Sequence, residues 1–176
     1  MMSSMRTEKT RFTRRCIGEA IIELMQLHPL RQLHISAVVH KAGVSRMTFY
    51  KHYVSIQAAL EDYLYIIIEE YLQAGEQNET HNTFLSYEHI LFSLRFFDRY
   101  RDFFLTMKQQ GLYAVLVDSV NAFISEHIQI SPTISVYTRC SYAGSLLNCF
   151  MMWEESGRNA SAEDVAMTIH RLFGAE

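Results

Sequence analysis

The chain has 176 residues, enough for one large or two small domains with a sizeable core, and 49% of them are apolar, as in ordinary folded proteins. With 2 prolines and 7 glycines, turns are scarce and helices should dominate; the three scattered cysteines, Cys16, Cys140 and Cys149, make neither a disulfide framework nor a zinc site and fit a reducing cytoplasm. The net charge of −3 hides an asymmetry: residues 1–60 hold nine Lys/Arg against three acids, and residues 61–176 hold seven against sixteen, so an anionic partner is expected for the first third alone.

No run of about 18 apolar residues is present, so no membrane span is expected. The basic N-terminus is not followed by an apolar segment with a small-residue cleavage site, which argues against a signal peptide. Residues 1–9 are polar and basic and read as a flexible arm. Over residues 10–27 the apolar positions Ile17, Ala20, Ile21, Leu24 and Met25 recur at three- and four-residue steps, the pattern of an amphipathic helix. Arg11, Arg14 and Arg15 near its start oppose the helix dipole, a conflict that a phosphate at that end would remove. His28-Pro29 ends the helix, because the residue before a proline is pushed out of the helical region.

A second helix is expected over residues 36–42, with Ile35, Val38 and Val39 on its apolar side. Ser36 either caps it or meets a phosphate. His34 and His40 are six apart, which does not match metal-ligand spacing on a helix, and no metal site is expected. The stretch Ala42-Gly43-Val44-Ser45-Arg46-Met47-Thr48-Phe49-Tyr50-Lys51-His52-Tyr53 follows. Gly43 can end one helix at positive φ, and Ser45 can cap the next. Val44, Phe49 and Tyr53 point inward. Arg46, Met47, Thr48, Tyr50, Lys51 and His52 face out, a set rich in hydrogen-bond donors. A helix presented in this way after a glycine turn is the second half of a helix-turn-helix, whose exposed face can enter a DNA major groove.

Ser55 caps a long helix over residues 56–74 that is apolar nearly all round from Tyr63 to Tyr71, as befits a helix buried on several sides. Residues 75–83 are polar and read as a loop. Helices are expected over 85–100, 102–110 and 112–129, crowded with aromatics from Phe84 to Tyr113. Ser131-Pro132 is a stop, and a further helix over 134–155 carries the small residues Ser141, Ala143, Gly144 and Ser145 before a bulky run. Gly157 ends it. Ser161-x-x-Asp164 resembles a capping box and opens a final helix with Val165, Ile169, Leu172 and Phe173 inward.

Residues 10–60 resemble the TetR/AcrR family of transcriptional regulators. The residues that carry the resemblance are Ile17, Ala20 and Leu24, then Ala42-Gly43-Val44-Ser45 and Thr48-Phe49-Tyr50-x-His52-Tyr53, then Ala58 and Leu60. The resemblance implies an all-α chain with a three-helix DNA-binding domain at residues 10–55 and a helical bundle for ligand binding and dimerisation at residues 56–176. It implies phosphate contacts from Thr48, Tyr50 and His52, with a further one from Ser36, and counts Ser45 among the DNA-binding residues. Base readout would come from Arg46, Met47 and Lys51: Arg46 and Lys51 suit guanine O6/N7, and Met47 suits a thymine methyl.

Two departures stand out. Members commonly carry Ser-Lys-Glu where this chain has Ser55-Ile56-Gln57, so a phosphate-reaching lysine is Ile56 here. The acid often found near the start of the second helix is Ala37. Arg11, Arg14 and Arg15 are the candidates to supply the missing charge.

The resemblance further implies an effector pocket in the bundle, with Tyr71, Phe92, Phe96, Phe104, Met107, Tyr113, Tyr142 and Met152 as candidates, suited to a small apolar or aromatic ligand. It implies a homodimer, with Ser141, Gly144, Ser145, Met151, Trp153 and Ile169 at the interface. Catalysis finds no foothold: there is no Gly-rich phosphate loop, HExxH or CxxC, and Glu69-Glu70 and Glu154-Glu155 are neighbours that do not converge on one face. No cofactor is expected. The leading expectation is a cytoplasmic homodimeric repressor of a palindromic operator, released when a ligand changes the separation of two recognition helices. The rival is an adaptor of the same fold whose bundle docks a protein partner.

Overall fold

A computed structural model describes residues 2–77, 85–127 and 135–173. Among these the chain is all-helical: α1 Met2–Met25, a 3₁₀ turn at Leu30–Gln32, α2 Ile35–Lys41, α3 Arg46–His52, α4 Ile56–Gln77, α5 Tyr87–Asp98, α6 Arg101–Gln109, α7 Tyr113–His127, α8 Val136–Glu155 and α9 Ala162–Phe173. The expected Ser131-Pro132 stop, Phe84 and positions 78–83 of the expected loop lie outside the described residues. Residues 75–77 continue α4, and residues 2–9, expected as an arm, are the first turns of α1. That segment lacks apolar periodicity but is built largely from Met, Arg, Glu and Lys, all good helix formers.

The chain divides into two compact units, residues 1–68 and 69–176. In the first, Ile17, Ile21 and Met25 of α1, Val38 of α2, Phe49 of α3 and Leu64 of α4 are fully buried. The boundary lies beyond the expected 55/56 because the first half of α4 belongs to this core. Gly18 of α1 lies so close to Tyr63 that an added Cβ would come within 2.3 Å of the ring's Cγ.

The second unit takes in the end of α4 and α5 to α9. Its core is aromatic. Tyr71 stacks on Phe92 and Phe97, at ring separations of 5.7 and 5.0 Å, and meets Phe96 edge-on; Phe104 packs edge-on against Phe97 and Phe150. Such pairs add about 0.5–1.5 kcal/mol each beyond the area they bury.

The helix ends show why the elements sit where they do. Ser55, Ser86 and Ser135 each accept a hydrogen bond from the amide three residues on. Ser161 and Asp164 form a reciprocal capping box: the Asp164 amide donates to Ser161 Oγ, and the Ser161 amide donates to Asp164 Oδ2. α8 ends in a turn with two successive left-handed residues, Gly157 at φ 75° and Arg158 at φ 62°. Arg158 holds that costly conformation while its guanidinium grips Glu154 (2.9 Å) and Asp98. The Glu154 side chain is completely buried, and Arg101 Nε, 3.0 Å away, holds its other oxygen. A buried carboxylate must be paired in this way, or its desolvation goes uncompensated.

Candidate nucleic-acid interface

The candidate interface is built on α2 and α3. Between Leu24 and Leu60 the chain contains no Asp or Glu, while it carries Arg31, Lys41, Arg46 and Lys51. α2 stops at Gly43, which sits at φ 67° with open space around it, so only its backbone angle demands glycine. The Val44 amide donates back to the Val39 carbonyl at 3.0 Å, the six-to-one bond of a Schellman turn. Ser45 then caps α3: its Oγ accepts from the Thr48 amide at 3.0 Å and shares a 2.8 Å hydrogen bond with Thr48 Oγ1. Val44 is half-buried, and Phe49 and Tyr53 are buried, as the spacing predicts.

The face opposite Phe49 is open. Arg46, Met47, Tyr50 and Lys51 are exposed, Met47 at 84% of its full surface, and Thr48 and His52 are half-buried. Met47, Thr48, Tyr50 and Lys51 border an open hollow of about 510 Å³. His52 titrates below the ordinary 6.5, because partial burial and then the charges of Lys51 and Arg14 disfavour its cation, with Asp62 acting the other way. α2 starts one residue earlier than expected, with His34 at its N-cap position, so Ser36 is not the cap; it is exposed on the first turn.

The arginines of α1 divide. Arg14 reaches across to α4, where its Nε donates to Asp62 Oδ2 at 2.8 Å and its Nη2 to Asp62 Oδ1. Tyr53, just past α3, donates its hydroxyl to the same Oδ2 at 2.5 Å. Burial and the Asp62 carboxylate together push the Tyr53 phenol up, and Asp62 holds the Arg14 cation firmly charged. The expectation that Arg14 meets a phosphate is therefore revised: its fork is filled by a carboxylate 48 residues away in sequence. Arg15 pairs with Glu19 one turn on, in a water-exposed contact of little strength, and Arg11 is half-buried. Ile56 is half-buried at the start of α4, beside the exposed Val54.

In the second unit the expected effector pocket is mostly packed core. Phe96, Phe104, Met107 and Tyr142 are buried, and Tyr71 is held on one side by its hydroxyl, 2.9 Å from His89 Nε2 and 2.8 Å from Ser93 Oγ. Burial pushes the Tyr71 phenol up to about 12. Tyr113 lies half-buried under Lys108. Met152 is corrected: it is 61% exposed on the opposite side of α8 from the aromatic core. An open hollow of about 480 Å³ runs along α5, bordered by Tyr87, Leu91, Phe92, Arg95, Phe96 and Arg99, so Phe92 and Phe96 alone of the expected set touch it.

No family model matches the chain, and no curated protein matches it either.

The expected interface residues also divide. Met151 and Ile169 are fully buried within the unit, and Trp153 is nearly so, its Nε1 donating to the Ala160 carbonyl at 2.8 Å. These three are corrected to core: bulk and aromaticity mark an interface centre and an interior equally well. Ser141 is exposed, Gly144 and Ser145 are half-buried, and an added Cβ at Gly144 would touch nothing. With Tyr137 (80% exposed), Asn148 and Met152 they follow one face of α8 at three- and four-residue steps. Leu172 is a further exposed apolar residue on α9. Among the described residues no helix is long and apolar enough to cross a membrane.

Proposed function

We propose that this protein is a sequence-specific DNA-binding transcriptional regulator of the TetR type, a binding protein rather than an enzyme. α2, the Gly43 turn and α3 act as a helix-turn-helix. The observation that carries this reading is the outer face of α3: a capped helix anchored by Phe49, exposing Arg46, Met47, Tyr50 and Lys51 within a stretch free of acids. A face of that charge is attracted to the phosphate backbone, and a helix of that width fits the major groove.

The protein works as a homodimer in the cytoplasm, on a palindromic operator, and the open face of α8 is the surface that pairs two copies. A small apolar or aromatic effector, received by the aromatic second unit, releases the DNA. The hollow along α5, with Phe92 and Phe96 on its border, is the place open to such a ligand.

A gel-shift assay on the DNA upstream of the chain's own gene tests the reading. Retarded bands that survive competitor DNA, and that are lost on Arg46→Ala plus Tyr50→Ala, are expected. Retardation unaffected by that double variant would sink the assignment of α3.

A further inference from the structure

The reading of α3 as a recognition helix leaves open which side chains meet the bases. The wheel of the helix answers this. At 3.6 residues per turn, Met47 and Lys51 each lie about 160° from the buried Phe49, one on either side of the point farthest from the core. Tyr50 and Thr48 lie about 100° from Phe49 and form the shoulders; Arg46 and His52 lie about 60° from it, at the edges of the face. Met47 is almost wholly exposed and Lys51 is exposed; Thr48 and His52 are half-buried, and Arg46 is exposed at the edge. The Thr48 hydroxyl is also engaged with Ser45 Oγ.

We infer that Met47 and Lys51 are the base-reading pair. Each half-site carries a thymine whose 5-methyl packs on Met47, next to a guanine whose O6/N7 edge receives Lys51, and Arg46 holds the backbone instead. The physical grounds are simple. The apex of a helix goes deepest into a groove, and there a flexible thioether and a methyl exclude water from each other. A long cationic side chain at the edge of the helix reaches the groove wall, where the phosphates are. This removes Arg46 from the base readers named by the family resemblance. It also makes the site selective through an apolar contact, which salt does not screen.

The test uses the full-length protein and duplexes enriched from a random pool. Replacing each thymine in turn with deoxyuridine removes only the 5-methyl. At one position per half-site this should weaken binding about fourfold, the equivalent of one methyl taken out of water. Met47→Ala should bind thymine and deoxyuridine duplexes alike. Replacing the adjacent guanine with 7-deazaguanine should weaken the wild type at least fivefold and leave Lys51→Ala unaffected. Arg46→Ala should weaken all duplexes equally and lower the salt slope by about one per subunit.

Enriched duplexes that bind with no deoxyuridine effect, or an Arg46→Ala variant that relaxes sequence preference, would overturn this inference and leave the DNA-binding reading intact. A pool in which no sequence enriches would overturn both. All three side chains are exposed, and matching thermal melts show that a variant has kept its fold.

Discussion

Tyr53 and Arg14 hold the same carboxylate: the phenol donates to Asp62 Oδ2 at 2.5 Å and the guanidinium takes both oxygens. The group joins α1, the end of α3 and α4, and so fixes the end of the helix proposed to read DNA. Asp62→Ala leaves a half-buried cation and a buried phenol without their partner, and should cost roughly 2–4 kcal/mol in urea unfolding. Tyr53→Phe keeps the ring packing and should cost about 1–2 kcal/mol. Equal, near-zero losses for both would mean that the trio is ornamental.

Gly18 admits no side chain. Its Cβ would meet the root of the Tyr63 ring, at Cγ and Cβ, where no rotamer change can clear the space. Gly18→Ala should therefore destabilise by about 1–3 kcal/mol, although alanine is the better helix former. Tyr63→Gly removes the obstacle, Cβ included, at the cost of a cavity and a weaker helix. The double variant should lose clearly less than the sum of the two single losses, the mark of a direct clash.

His52 gives the first unit a pH dependence whose sign is fixed. Its folded pKa lies below 6.5, so the unfolded chain takes up the proton first. Stability is then complete above about 6.5 and declines as pH falls from there through the lowered value. His52→Gln should flatten this part of a urea-melt pH series. DNA binding should run the other way: a phosphate favours the imidazolium, so affinity should strengthen on acidification in the wild type more than in His52→Gln.

α8 offers a matched pair of neighbours. Met152→Glu places a charge on the exposed face and should give a folded monomer in sedimentation, with its thermal midpoint nearly unchanged. Met151→Glu places the same charge in the core and should unfold the second unit, because an unpaired buried carboxylate costs several kcal/mol. A dimer that survives Met152→Glu would move the pairing surface elsewhere.

What the sequence made legible is what short-range chemistry controls. The Gly43 turn, the caps at Ser45 and Ser55, the Ser161–Asp164 box and the inward Phe49 all depend on residues within one helical turn of each other. Partners distant in sequence were not legible. Nothing near Arg14 announces Asp62, so three arginines at one helix start look alike until α4 is in place. Nothing in the local pattern around Gly18 marks it off from an ordinary weak spot in a helix. On α8 the failure was one of side: Met151 and Met152 are adjacent and chemically identical, and only the packing of the unit separates them.

The turn after α8 carries a last consequence. Arg158 is a non-glycine residue in left-handed backbone, and the charges it holds justify the strain. Replacing it with glycine relaxes the backbone but leaves the buried Glu154 to Arg101 alone; replacing Glu154 with glutamine leaves the arginine only Asp98 to set against the strain. The two positions should therefore respond to substitution as one unit. A randomised library at both should return glutamate with arginine, or a neutral residue with glycine, and few chains that mix the two solutions.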